Sequence, residues 1–173
     1  TSNSLVSNAN LIKKVYFPRL ALPISSVVTS FVDFIISFIV FIVIMIGYRY
    51  MPSIRILVLP VFILLAFLLA LGFGLFFATM NVKYRDIRYI VPVIIQFGMY
   101  ISPVAYSSSV IPEEYHLLYS LNPLVGILDG FRWCILPNST LNIYSLLISI
   151  MFVLVGLILG IRFFNNFENT FAD

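Results

Sequence analysis

Long apolar runs separated by short polar breaks divide the chain. Their pattern predicts an all-α polytopic membrane protein with four transmembrane helices, over residues 22–47, 56–80, 89–104 and 143–161. Neither the run from Ile56 to Met80 nor that from Ile90 to Val104 holds a charge. A bilayer's hydrocarbon core is about 30 Å thick, and a helix needs roughly 20 apolar residues to cross it. Pro23 suits the first turn of the first span, where a missing amide donor costs little. The third span is interrupted by Pro92, Gln96, Gly98 and Pro103; such breaks are tolerated where they meet protein or a water-filled cavity rather than lipid.

Residues 105–142 form an outer loop with short helices. Asn122 before Pro123 is an N-cap and N1 pair, predicting a helix to Leu136 that Pro137 stops. It is too short to span, so it reads as re-entrant or interfacial. A second short helix is expected over Ile111 to Ser120. At the other end, residues 1–20 are polar and then basic, with Asn8 or Asn10 placed to cap a short helix. Leu11, Val15 and Tyr16 would share one face of it, lying on the membrane surface.

Charge orients this pattern. Asn81–Tyr89 packs Lys83, Arg85, Asp86 and Arg88 between two apolar runs, and short cation-rich loops stay in the cytoplasm. The inner side then holds Lys13, Lys14, Arg19, Lys83, Arg85, Arg88 and Arg162, and the outer side only Arg49, Arg55 and Arg132. Both ends of the chain, including the 162–173 tail, are expected inside. Charged residues make up 10% of the sequence, against about 25% in a soluble domain, which confirms the membrane class. The cations sit beside spans, so they serve topology rather than nucleic acid. Cys134 is the sole cysteine, which excludes an intramolecular disulfide. The chain opens on Thr1, not Met, so it is expected to be a fragment of a longer protein.

Candidate chemistry is sparse. Ser26, Thr29 or Ser30, Asp33 and Ser37 recur at helical spacing as one polar stripe. Asp33 lies about 18 Å along the helix from Ala21, near mid-bilayer, where a charge costs about 2.5–3.5 kcal/mol on insertion scales. It either lines a pathway or bridges helices. Gln96, Tyr100 and Pro103 share one face of the third span and line a polar pathway or pack a neighbouring helix. Asp129 and Arg132 are three apart and can pair, with Trp133 suited to an interface. Gly72 and Gly74, and later Gly156 and Gly160, allow close helix approach. No phosphate-binding loop is present, and a lone histidine, His116, with Cys134 makes no metal cluster. Glu113, Glu114 and His116 read as a solvated loop. No residue is assigned a catalytic, cofactor-binding or metal role. A polar pathway is favoured over a reaction centre; an ion or small-solute channel, and a scaffold or membrane-embedded lipid-modifying enzyme, remain the competing classes.

Several local patterns occur together in order. Leu11-Ile-Lys-Lys-Val-Tyr-Phe-Pro-Arg19 precedes a Pro-led span, and Asn81-Val-Lys-Tyr-Arg-Asp-Ile87 precedes a Pro-containing one. Tyr100-Ile-Ser-Pro103, Leu121-Asn-Pro123, Gly130-Phe-Arg132 and the terminal Phe171-Ala-Asp173 follow. The set resembles the permease subunits of type-2 ABC exporters for O-antigen, capsule or teichoic acid. The resemblance implies six spans per subunit, the first two upstream of Thr1, a second permease copy, and a separate ATP-binding cassette subunit that uses the ATP. It implies a lipid-linked polysaccharide or polyol-phosphate polymer as substrate and the cytoplasmic membrane of a bacterium as location. Leu11, Val15, Tyr16, Lys83, Arg85, Asp86 and Arg88 would dock the ATPase. Asn122, Pro123, Asp129, Arg132 and Trp133 would form an outer gate. An aromatic-lined path suits sugar chains, whose C–H faces pack on rings while Tyr hydroxyls bond to hydroxyls.

Overall fold

The computed structural model describes residues 21–50, 54–84, 86–104, 106, 108–112, 115–137 and 139–167. Every regular element among them is helical, and the protein is all-α. Helix α1 covers Ala21–Gly47, and a 3-10 turn at Ile54–Val58 leads into α2, Leu59–Lys83. Helix α3 is Ile87–Ile101. A 3-10 turn at Ser108–Val110 and the short α4, His116–Ser120, precede α5, Pro123–Ile135, and the chain closes on α6, Ile143–Phe167.

Three helices are long and apolar enough to cross a bilayer: α1, α2 with its leading turn, and α6. Helix α3 has 15 residues, which is about 22 Å and short of the hydrocarbon core. Its end is local chemistry. Ser102 N–H gives the last helical bond, to the Gly98 carbonyl, and Val104 N–H turns back on the Ser102 carbonyl at 2.7 Å. Pro103 between them has no N–H to continue the ladder. The predicted 89–104 span therefore begins two residues early and stops at Ile101.

Other boundaries move outward. Helix α2 takes in Asn81 to Lys83, Ile87 N–H at the start of α3 bonds back to the Tyr84 carbonyl, and α6 runs on to Phe167. Helix α1 ends where Arg49 adopts φ 54°. Arg49 N–H bonds the Ile46 carbonyl and Tyr50 N–H the Met45 carbonyl, the paired closure that satisfies a helix's last carbonyls.

Contacts within the described residues form two compact units. In one, residues 21–38, 67–94 and 155–167, α2 and α6 cross closely. A Cβ on Gly72 would lie 2.7 Å from the Gly156 backbone, and one on Gly160 would strike the Gly72 carbonyl. Small residues let membrane helices approach in this way. The core beside them is Leu75, Ala78 and Phe164, flanked by Leu71 and Val82. In the other unit, residues 39–66 and 95–154, α5 is the centre. Val125, Gly126, Ile127, Asp129, Gly130 and Cys134 are all buried. Gly126 has no room for a side chain against Ser145 and Ser149 of α6, and Phe62 packs beside Phe131 with ring centroids 6.4 Å apart.

Candidate functional site

Helix α5 gathers four of the five residues assigned to the outer gate into contacts that can be traced atom by atom. Asn122 is its N-cap: its side-chain oxygen accepts from Leu124 N–H at 3.0 Å while Pro123 fills N1. The same side chain donates through Nδ2 to Ser102 Oγ at 2.9 Å, so one residue both starts α5 and holds the end of α3. One turn pair further on, the buried Asp129 carboxylate accepts from the Ser108 hydroxyl and lies 3.6 Å from Arg132. Arg132 in turn donates to the Pro103 carbonyl. Positions 122, 129 and 132 fall on one helical face, and that face holds Ser102, Pro103 and Ser108.

The far end of α5 is held by a different part of the chain. Tyr50 Oη donates to the Ile135 carbonyl at 3.3 Å, one of the terminal carbonyls a helix cannot satisfy itself. The Arg55 guanidinium stands 4.9 Å from the centre of the Trp133 ring, and the turn Ile54–Val58 packs along α5. Against α6, Ser120 and Ser145 share a 2.7 Å hydroxyl bond. Tyr119 lies beside Tyr106, centroids 6.4 Å apart, and burial, with the Tyr106 hydroxyl and the Asp129 carboxylate nearby, pushes its phenol well above the ordinary tyrosine range. Burial likewise raises the Cys134 thiol.

The candidate pathway residues separate. Gln96 and Tyr100 are exposed on α3, but Pro103 lies beyond its end, fully buried and bonded to Arg132. Pro103 is thus held by α5 and does not share a face of α3 with Gln96 and Tyr100. On α1 the polar stripe is exposed, yet its hydroxyls are spent within the helix. Ser26, Thr29, Ser30 and Ser37 each donate to a carbonyl three or four residues back, at 2.8–3.1 Å. That leaves the exposed Asp33 carboxylate as the chemically open group of the stripe.

Of the docking set, Leu11, Val15, Tyr16 and Arg85 lie outside the described residues. Lys83, Asp86 and Arg88 are all exposed around the link between α2 and α3. Lys83 Nζ sits 4.4 Å over the Phe167 ring and 5.3 Å over Tyr84. Phe163 and Phe76 continue the aromatic stack from Phe167 at 4.7 and 5.3 Å. Arg88 donates to the Tyr89 hydroxyl at 2.8 Å. Asp86 stands directly before α3, where a carboxylate complements the helix's N-terminal partial charge.

Ser102, Ser108, Tyr50 and Arg55 carry contacts that sequence reasoning did not assign. Their partners are 20 to 85 residues away, and no local spacing marks them. Among the described residues no group of three His, Cys, Asp or Glu side chains could hold a metal.

Known proteins with related sequences agree on one class. The chain is 28% identical over 171 residues to an O-antigen export system permease protein RfbA of Klebsiella pneumoniae, covering 98% of this chain and 66% of that protein. An RfbA of Myxococcus xanthus is 29% identical over 133 residues, 76% of this chain and 51% of its own length. The polysialic acid transport protein KpsM of Escherichia coli is 26% identical over 104 residues, 60% and 40% respectively. The chain thus spans just under two thirds of the Klebsiella relative's length. The family model of the ABC-2 type transporter matches residues 2–136, most of the chain and all of the segment from the basic N-terminal stretch through α5. The protein is a member of the ABC-2 type transporter family.

Proposed function

We propose that the chain is the membrane-spanning part of an ATP-driven exporter that moves a lipid-linked polysaccharide across the bacterial cytoplasmic membrane. In this reading the full protein pairs with a second copy and with a separate ATP-binding cassette subunit. Residues 84–88 face the cytoplasm, where that subunit docks, and α5 lies at the outer face as a gate. The relatives named for O-antigen export and polysialic acid transport favour a glycan as cargo.

The observation that carries the reading is the hold of α5 on Ser102, Pro103 and Ser108 beyond the end of α3. Irregular backbone at membrane depth is stable only where protein or a water-filled cavity meets it. Here an arginine serves the Pro103 carbonyl, while a buried carboxylate and an asparagine hold the Ser108 and Ser102 hydroxyls on either side of it. A short helix held this way beside the end of α3 can close or open a polar exit without unfolding.

The test is export by the full-length protein with its ATPase. Tyr100 is exposed on α3 and its ring makes no contact that the Tyr106 tether needs, since Tyr106 bonds the Tyr100 and Ile101 carbonyls. Tyr100→Ala should lower glycan export roughly tenfold, the loss of about 1–1.5 kcal/mol of ring–sugar contact, with insertion and ATPase assembly unchanged. Wild-type export by that variant would remove Tyr100 from the path.

A further inference from the structure

Outer cations run against the positive-inside bias, so each one invites a structural reason. Arg132 has one in the Pro103 carbonyl and Asp129, and Arg49 closes α1. Arg55 is different. Among the described residues no carboxylate pairs with it, and its guanidinium lies over the indole of Trp133 instead.

We propose that Arg55 is a positioning residue for α5, setting the angle of that helix's C-terminal half by stacking on Trp133. The proposal rests on the reading of α5 as an outer gate and adds the residue that holds it.

Three observations converge on this. The turn carrying Arg55 packs along α5. Tyr50, from the same connection between α1 and α2, caps the Ile135 carbonyl at the same end. A cation there also complements the partial negative charge of the helix's C-terminus. The two ends of α5 are therefore served by different stretches: Asn122, Asp129 and Arg132 meet Ser102, Ser108 and Pro103, and the last turn meets Tyr50 and Arg55. A guanidinium stacked on an indole is a contact that can part and re-form without leaving a buried charge, because Arg55 is only half-buried. An ion pair with a buried carboxylate would lack that property.

Trp133 is the sole tryptophan of this sequence, which makes the contact visible. In the full-length permease with its ATPase, the emission of Trp133 is obtained by difference against Trp133→Phe. Arg55→Leu should raise quenching of Trp133 by the neutral quencher acrylamide about threefold, as the guanidinium that covers the indole face is lost, and should lower export at unchanged ATPase assembly. Arg55→Lys, which keeps the charge but not the planar stack, should fall between Arg55→Leu and wild type in both measurements. Arg55→Leu combined with Trp133→Leu should export no worse than Trp133→Leu alone.

Wild-type quenching and export in Arg55→Leu, with export lowered by Trp133→Leu, would overturn the role of Arg55 and leave the gate standing. Additive losses in the double variant would overturn it too. Normal export by Arg55→Leu, Trp133→Leu and Arg132→Met together would remove the gate itself. If Arg55→Leu fails to accumulate, Arg55→Lys decides: intermediate quenching supports the stack, and wild-type quenching and export refute it.

Discussion

Arg132 joins three things that the chain keeps apart: Asp129 one turn before it on α5, and the Pro103 and Val104 carbonyls at the break after α3. Removing its guanidinium leaves a buried carboxylate with the Ser108 hydroxyl as its remaining partner and two carbonyls without their donor. A hydrogen bond to a charged group is worth about 1.5–3 kcal/mol, so Arg132→Met should destabilise the detergent-solubilised protein by about 2 kcal/mol. Asp129→Asn on top of it should add little. Thermal unfolding of the two single variants and the double checks this, and additive losses would mean the two side chains act separately. The Asn122–Pro123 cap and the Asp129–Arg132 spacing are legible in sequence because each is a pattern of a few residues with one local physical cause. Ser102, Ser108 and Tyr50 are not, because a serine or tyrosine in a loop acquires a role only from a partner that folding brings to it. Pro103 shows the opposite error. Its spacing from Gln96 and Tyr100 assumed a helix that its own missing N–H had already ended.

Among the elements, existence was legible and extent was not. Apolar runs long enough to cross a bilayer, interrupted in α1 by Asp33, leave helix as the way to satisfy the backbone in lipid, and α1, α2 and α6 follow. Their ends depend on packing. Helix α6 continues through Arg162 because Phe163, Phe164 and Phe167 recur on one side, and Phe164 completes the core with Leu75 and Ala78 of α2. The topology proposed for these helices makes a direct prediction. Cysteines at Lys83 or Asn169 should react with an impermeant maleimide only from the cytoplasmic side, and one at Ser108 only from outside. Cys134 is fully buried and its thiol is held protonated by that burial, so it should stay silent and need not be removed. Labelling of both sets from one side would contradict the topology.

At the scale of the whole molecule, the proposed function has work delivered to the chain by a partner subunit. The link between α2 and α3 offers little slack, since Ile87 N–H bonds the Tyr84 carbonyl and Tyr89 N–H the Asp86 carbonyl. Lys83 over Phe167 ties the last turn of α2 to that of α6, so a push on this turn reaches two helices at once. Arg85→Glu with Tyr16→Ala should weaken binding of the ATPase subunit or uncouple its hydrolysis from export, while Lys83 and Arg88 preserve insertion. Binding, hydrolysis and export all at wild-type level would reduce these residues to topology signals. The family could be read from the sequence because its motifs are short and ordered. The proposed docking geometry could not, because it would belong to a surface completed by another protein.

The shortness of α3 has a consequence for the lipid around it. A helix of about 22 Å in a hydrocarbon layer of about 30 Å is a case of hydrophobic mismatch. Each ångström unmatched costs a fraction of a kcal/mol and is relieved by thinning the bilayer beside the short element. Thinned lipid shortens the apolar distance that a polar head group must cover, next to the exposed Gln96 and Tyr100. Export by the reconstituted complex should then be fastest in phosphatidylcholines with short acyl chains and should fall steadily as the chains lengthen. A rate that ignores chain length would show that the deficit in α3 is filled by protein rather than by deformed membrane.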